Sequence, residues 1–185
     1  MIGLKTFPRG GVHPYERKSL SEHRQIWNAA VPSECIVPLQ QHIGKPAEAR
    51  VEPGDEVREG QLIGAAPGFV SANIHAPIPG VVKELRDVYL PNGLKTQAVV
   101  IELQGEFDRL GKQQEPTDWR SRDTKELLAA IQNNGIVGMG GATFPTHVKY
   151  SLPQGKTCDW MILNGVECEP YLTADHRLML EMTDQ

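Results

Sequence analysis

Apolar and polar positions change rhythm partway along this chain. Between Cys35 and Leu103, apolar runs of strand length alternate with turn formers; after Asp123, helical signals take over. Cys35-Ile36-Val37-Pro38-Leu39 reads as a strand. Pro53-Gly54-Asp55 and Arg58-Glu59-Gly60 are tight turns on either side of Val57, and Ile74 to Val82 carries another at Pro79-Gly80. Asn92-Gly93 is a two-residue hairpin signal, and Thr96 to Leu103 follows as a strand. Residues 35–104 therefore read as a small all-β unit.

Residues 1–34 read as an irregular lead-in, with a short amphipathic helix expected near Ser21 to Ala30, lying across the surface of the later residues. Residues 105–122 are polar and read as a linker. In 123–185, Asp123 can cap a helix with Glu126 three residues on. Leu127, Leu128 and Ile131 form its apolar stripe, and Asn133-Asn134-Gly135 ends it. A glycine cluster follows, then a helix opening at Pro145. Trp160-Met161-Ile162-Leu163 reads as a buried strand, and a final helix runs from Thr173, its cap, to Met182. This order suggests the opening of an α/β layer with parallel strands, cut short by the few residues that remain.

Composition removes some function classes. The chain is 39% hydrophobic, enough for a real core rather than a disordered segment. Its net charge of −4 and 6% aromatic content argue against nucleic acid as the main partner. The longest clean apolar run, Ala98 to Ile101, is far too short for a membrane span, and no secretory leader is evident. Cys35, Cys158 and Cys168 form no Cys-x-x-Cys. They build neither a disulfide framework nor a four-cysteine metal or cluster site, and a reducing cytoplasmic setting fits them best.

Two segments carry the chemistry. In Gly138-Met139-Gly140-Gly141-Ala142-Thr143-Phe144-Pro145-Thr146-His147-Val148-Lys149, bare glycines let a ligand approach backbone amides. Lys149 can neutralise a phosphate or a reduced flavin ring. A tight structural turn is the competing reading, because the spacing is not the dinucleotide Gly-x-Gly-x-x-Gly. In Asn164-Gly165-Val166-Glu167-Cys168-Glu169-Pro170, Asn164 follows the expected strand, where ligands of open α/β sheets sit. Glu167 and Glu169 can bind ribose hydroxyls, orient a water, or stand as exposed turn charges. Cys168 reads as packing. His147 and His176 share no local metal-ligand spacing, so no metal site is assigned; no side chain is named as a proton-transfer catalyst.

Resemblance adds to this. Val51-Glu52-Pro53-Gly54-Asp55-Glu56-Val57-Arg58-Glu59-Gly60 with His75-Ala76-Pro77-Ile78-Pro79-Gly80-Val81-Val82 resembles the biotinyl/lipoyl-type barrel-sandwich fold. That family carries its cofactor on a hairpin lysine between the two segments, but Gly64 to Ile74 holds no lysine here. The glycine and acidic segments, with Thr6-Phe7-Pro8-Arg9-Gly10-Gly11-Val12-His13-Pro14, resemble the RnfC/RsxC subunit of the Rnf electron-transport complex over nearly the whole chain. More distantly they are similar to the flavin subunit of respiratory complex I, whose pattern is Gly-Arg-Gly-Gly-Ala-Gly-Phe-Pro-Thr-Gly-x-Lys. Met139 replaces that arginine, and Val166 replaces an acidic residue.

The resemblance implies an α+β chain: a barrel-sandwich-hybrid domain followed by the start of a Rossmann-like α/β domain that binds FMN and NADH. Gly138, Gly140, Gly141, Ala142 and Phe144 would form the cofactor loop. Lys149 would sit near the flavin or its phosphate, Asn164 and Glu167 would face the flavin, and Glu169 would lie where the dinucleotide docks. The [4Fe-4S] clusters would belong to a later ferredoxin-like region. The partners implied are other Rnf subunits and NAD(H), with the protein peripheral to the cytoplasmic face of the inner membrane. This stretch alone is expected to be inactive and to retain little cofactor. The rival functions are a biotinyl/lipoyl-type carrier, which the missing hairpin lysine opposes, and a non-catalytic docking module.

Overall fold

Strand β7 (Lys95–Leu103) organises the fold, because Ala98, Val99, Val100 and Ile101 are all fully buried. A run without alternation marks a strand covered on both faces. β7 pairs antiparallel with β1 (Glu34–Pro38) on one side and β6 (Gly80–Tyr89) on the other, and β6 also pairs β3 (Glu56–Val57). The four-stranded order is thus β1-β7-β6-β3. A second sheet runs β2-β4-β5, from β2 (Glu48–Ala49), β4 (Leu62–Ala65) and β5 (Ile74–His75). Val37, Leu39, Val57, Ile63, Ile74, Val82, Val99 and Ile101 meet in one apolar core. The computed structural model describes residues 14–109, 118–139, 141–167 and 169–183.

The turns fall where the glycines and prolines placed them. Gly54 and Gly60 adopt φ of 99° and 78°, which disfavour a side chain. Each turn is tied down through its glycine: the Gly54 amide donates to the Val82 carbonyl and the Gly60 amide to the Ala76 carbonyl, both at 2.8 Å. At the β6–β7 hairpin, Gly93 has φ of 81° and the Asn92 side chain accepts the Leu94 amide at 3.0 Å. Lys83 is the extra residue of a bulge, since Val82 pairs Ile101 and Glu84 pairs Val100. Its ammonium meets Glu34 at 2.9 Å, which lowers the Glu34 pKa and raises that of Lys83.

Helix α1 (Thr124–Asn133) forms as its ends dictate. Asp123 accepts the Glu126 amide at 2.8 Å, and Glu126 accepts the Asp123 amide at 3.0 Å, a reciprocal capping box. Asn134 caps the other end, and Gly135 turns the chain out with φ of 67°. Helix α2 (Thr146–Tyr150) is five residues long, with Pro145 at its N-cap. All of this belongs to the Ala30–Cys158 unit.

The described parts of Met1–Ala29 and Asp159–Gln185 form a separate unit. It contains α3 (Ala174–Glu181), with Thr173 at its N-cap, and a 3-10 turn at Lys18–Leu20. The chain departs here from two sequence-based expectations. No helix spans Ser21 to Ala30: the Ile26 amide donates to the Glu181 carboxylate at 3.0 Å instead of to a carbonyl one turn back. Trp160–Leu163 is not a buried strand either; Trp160 is 88% and Ile162 90% exposed. A strand requires a neighbour for its amides and carbonyls, and none of the described strands pairs with this run. The described residues after 123 contribute three helices and one antiparallel bridge, Val137 to Pro145, but no parallel pair. Sheets and helices together make the chain α+β.

Candidate functional site

The glycine loop is pinched shut at its neck. The Gly138 amide donates to the Phe144 carbonyl, and the Thr146 amide to the Ile136 carbonyl, both at 3.0 Å, around the Val137–Pro145 bridge. Between these legs Thr143 takes φ of 52°, uncommon for a β-branched residue, and its hydroxyl donates to the Ala142 carbonyl at 2.8 Å. The Thr143 carbonyl accepts the Ile43 amide at 3.2 Å, which ties the loop to the β-unit. Gly141 and Ala142 are exposed, and among the described residues beyond its chain neighbours no atom lies within 4 Å of where a Cβ on Gly141 would sit. Among the described residues, the amides of Gly141 and Ala142 donate to no partner. Gly140 lies outside the described residues.

Lys149 reaches back from α2 over this loop. Its Nζ occupies the bare face of Gly138, where a Cβ would collide with it and stand 3.5 Å from Cε. The sequence brings ammonium and loop together by placing the lysine one helical turn past Pro145. Gly138, Gly141, Ala142, Phe144 and Lys149 are therefore adjacent in one unit, with Phe144 half-buried as part of the neck. An ammonium beside open backbone amides is a donor set for phosphate.

Asn164, Glu167 and Glu169 lie in the other unit. Asn164 Oδ1 accepts the Val166 amide at 2.9 Å and shapes its own turn. Glu167 Oε1 accepts the His176 amide at 3.0 Å, satisfying one of the first-turn donors of α3. Glu169 is exposed. Its carbonyl and that of Leu172 both accept from the Lys18 ammonium, at 3.2 and 2.9 Å. Ser21 Oγ donates to the Tyr171 carbonyl at 2.6 Å, and the Tyr171 amide donates to the Glu16 carbonyl at 2.8 Å. The lead-in thus straps the acidic turn, a role sequence reasoning missed because Lys18 and Glu169 are 151 positions apart. Cys168 lies outside the described residues.

Sequence reasoning also missed the burial of His147. The side chain is 2% exposed, and its Nε2 lies 2.7 Å from the Phe69 carbonyl. A carbonyl only accepts, so Nε2 carries the hydrogen. Among the described residues, Nδ1 is buried with no partner. The one available signal was a histidine where the complex I pattern has glycine. Apart from the loop, a polar cleft of about 310 Å³ is lined by Glu59, Gly60, His75, Arg109 and Asn134. Burial lowers the His75 pKa there, and burial raises that of the Cys35 thiol. Among the described residues no group of three His, Cys, Asp or Glu is placed to hold a metal ion, and no helix is long and apolar enough to cross a membrane.

Comparison with known proteins agrees with this layout. Residues 5–106 match the RnfC barrel sandwich hybrid domain, and residues 131–185 match the Nuo51 FMN-binding domain. The chain is 47% identical to the C subunit of the proton-translocating ferredoxin:NAD(+) oxidoreductase complex of Clostridium ljungdahlii, over 98% of this chain and 40% of that protein. It is 39% identical to the C subunit of the Na(+)-translocating ferredoxin:NAD(+) oxidoreductase complex of Acetobacterium woodii, over 96% of this chain and 40% of the relative. It is 42% identical to the C subunit of an ion-translocating oxidoreductase complex of Rhodobacter capsulatus, over 96% of this chain and 34% of the relative. The chain thus spans two fifths or less of the length of these curated relatives. A barrel-sandwich hybrid joined to a glycine loop of the flavin type, matched across both parts, places the chain in the RnfC family.

Proposed function

We propose that this chain supplies the FMN loop and the dinucleotide-facing corner of an oxidoreductase that exchanges electrons between NAD(H) and iron–sulfur centres, coupled to ion translocation. The observation that carries the reading is the Lys149 ammonium seated on Gly138 beside the open Gly141 and Ala142 amides. These residues fit a flavin phosphate: the amides donate, the ammonium neutralises, and the space above Gly141 admits the group. FMN, when bound, supplies the exchange between a two-electron donor and one-electron acceptors. The chain's own work is to hold and orient. Gly138, Gly140, Gly141, Ala142 and Phe144 form the cradle, Asn164 and Glu167 face the flavin, and Glu169 meets the dinucleotide.

The names of the relatives extend this to a ferredoxin:NAD⁺ oxidoreductase complex. Other subunits of that complex would be the partners, and [4Fe-4S] clusters would lie in sequence beyond residue 185. The protein would be peripheral on the cytoplasmic face of the inner membrane. The domain limits read from sequence, 1–34, 35–104, 105–122 and 123–185, stand as part of this proposal. The test is titration of FMN into the flavin-depleted subunit, followed by quenching of flavin fluorescence. Lys149→Ala and Gly140→Val should each weaken saturable binding at least tenfold, on the scale of removing a charge-assisted contact or a cradle position. Wild-type affinity in both variants would remove the site.

A further inference from the structure

The connection between β4 and β5, residues 66–73, is the stretch on which the biotinyl/lipoyl fold displays its carrier lysine. Here its tip, residues 67–70, is exposed, but the connection is bonded to the segments that flank the glycine loop. The Phe69 carbonyl accepts from buried His147 at 2.7 Å, and the Phe69 ring meets the imidazole edge-on, with centroids 5.4 Å apart and an interplanar angle of 85°. Asn73 Nδ2 donates to the Asn133 carbonyl at the end of α1, at 3.1 Å. The helices on either side of the glycine loop are thus both fastened to this one connection. His147 stands one residue past Thr146 at the loop's neck and two before Lys149.

The bare Nδ1 makes the choice of residue informative. A buried nitrogen without a partner costs stability, and an apolar side chain of similar size would avoid that cost. What the imidazole gains in return is a donor aimed at Phe69. We propose that the β4–β5 connection is the socket of the flavin loop and that His147 is the positioning residue that seats Lys149 and the loop amides on the FMN phosphate. This rests on the function proposed above. The barrel-sandwich domain then serves the flavin site as a rigid seat for its loop, with no carrier role.

The test uses the flavin-depleted subunit and FMN itself. His147→Met, which fills the space but cannot donate, should weaken FMN binding about tenfold, the scale on which removing the support behind a ligand-contacting group acts. His147→Gln, which can place an amide nitrogen near Nε2, should restore most of that loss. Phe69→Ala guards against a folding failure, because Phe69 is 58% exposed; it should weaken FMN binding severalfold. Hydrogen exchange should quicken at the Gly138 and Thr146 amides in His147→Met while Val99 and Ile101 stay protected. Wild-type FMN affinity in both His147→Met and Phe69→Ala overturns the positioning role. Unchanged exchange at Gly138 and Thr146 overturns the socket. Wild-type protein that binds no FMN overturns the function proposed above, and the exchange rates still decide the socket by themselves.

Discussion

The Ala30–Cys158 unit and the unit built from the described parts of Met1–Ala29 and Asp159–Gln185 are held by different forces. The first closes an apolar core between two sheets, with Ile63, Val99 and Ile101 fully buried. The second rests on polar contacts: Lys18 and Ser21 to backbone carbonyls, and Arg177 to the Glu22 carbonyl at 3.1 Å and to the Glu181 carboxylate. Many of its apolar residues stay outside: Leu163 is 78% exposed, and Met179, Leu180 and Val166 are exposed too. Unfolding the first unit must expose a close-packed apolar core, whereas a few exposed hydrogen bonds open locally at little cost. The glycine loop is therefore built on the stiffer footing and the acidic turn on the softer one.

Most stability should be lost by opening the core of the stiff unit. Ile63→Ala leaves a cavity at a fully buried site and should cost about 2–5 kcal/mol in denaturant unfolding of the Ala30–Cys158 unit. Exchange at Tyr171 and His176 should not follow, if the two units are energetically separate.

Lys18→Met tests the soft side. It keeps the stem and removes a donor shared by two carbonyls. Exchange of the Tyr171 amide, which donates to Glu16, should quicken about tenfold, corresponding to roughly 1.4 kcal/mol. β7 should stay protected. Equal exchange in both proteins would show that the strap carries no weight.

Acid should act on the stiff unit next. His42 is buried, its Nε2 accepting the Ala72 amide at 3.2 Å with Nδ1 directed to the Ile43 carbonyl at 3.3 Å. Burial holds the pKa values of His42 and His75 below the ordinary 6.5. The unfolded chain then takes up protons near pH 6.5 that the folded chain refuses. Stability from these groups is level above that pH and falls as pH drops through 6.5 toward the folded values. Unfolding midpoints between pH 5 and 8 measure this, and His42→Gln should flatten part of the slope.

What the sequence disclosed depended on how far apart the interacting groups lie. Asp123 and Glu126 stand three residues apart, and their capping box is visible in the letters. The turns at Gly54, Gly60 and Gly93 are equally local. Trp160–Leu163 is apolar enough to suggest burial, but the letters do not say what covers it, and no described strand does. His147 reaches Phe69 across 78 positions and Lys18 reaches Leu172 across 154. No pattern within a window of one element could announce either contact. In the candidate site the loop and its lysine were legible because one short helix joins them, whereas the groups that seat the loop and strap the acidic turn were not.

The smallest effect on folding is also the sharpest test of the loop. At Gly138 the atom in the way of a Cβ is the Lys149 ammonium, the far end of a flexible side chain, with Cε at 3.5 Å and the Phe144 carbonyl at 3.8 Å. Gly138→Ala should therefore change unfolding stability by no more than about 0.5 kcal/mol, as expected where a neighbour can swing aside. The ammonium, however, must leave its seat. FMN affinity should fall about as far as in Lys149→Ala, and adding Lys149→Ala as a second substitution should cost almost nothing further. Independent, additive losses in that double-mutant cycle would separate Gly138 from Lys149 and refute the shared seat.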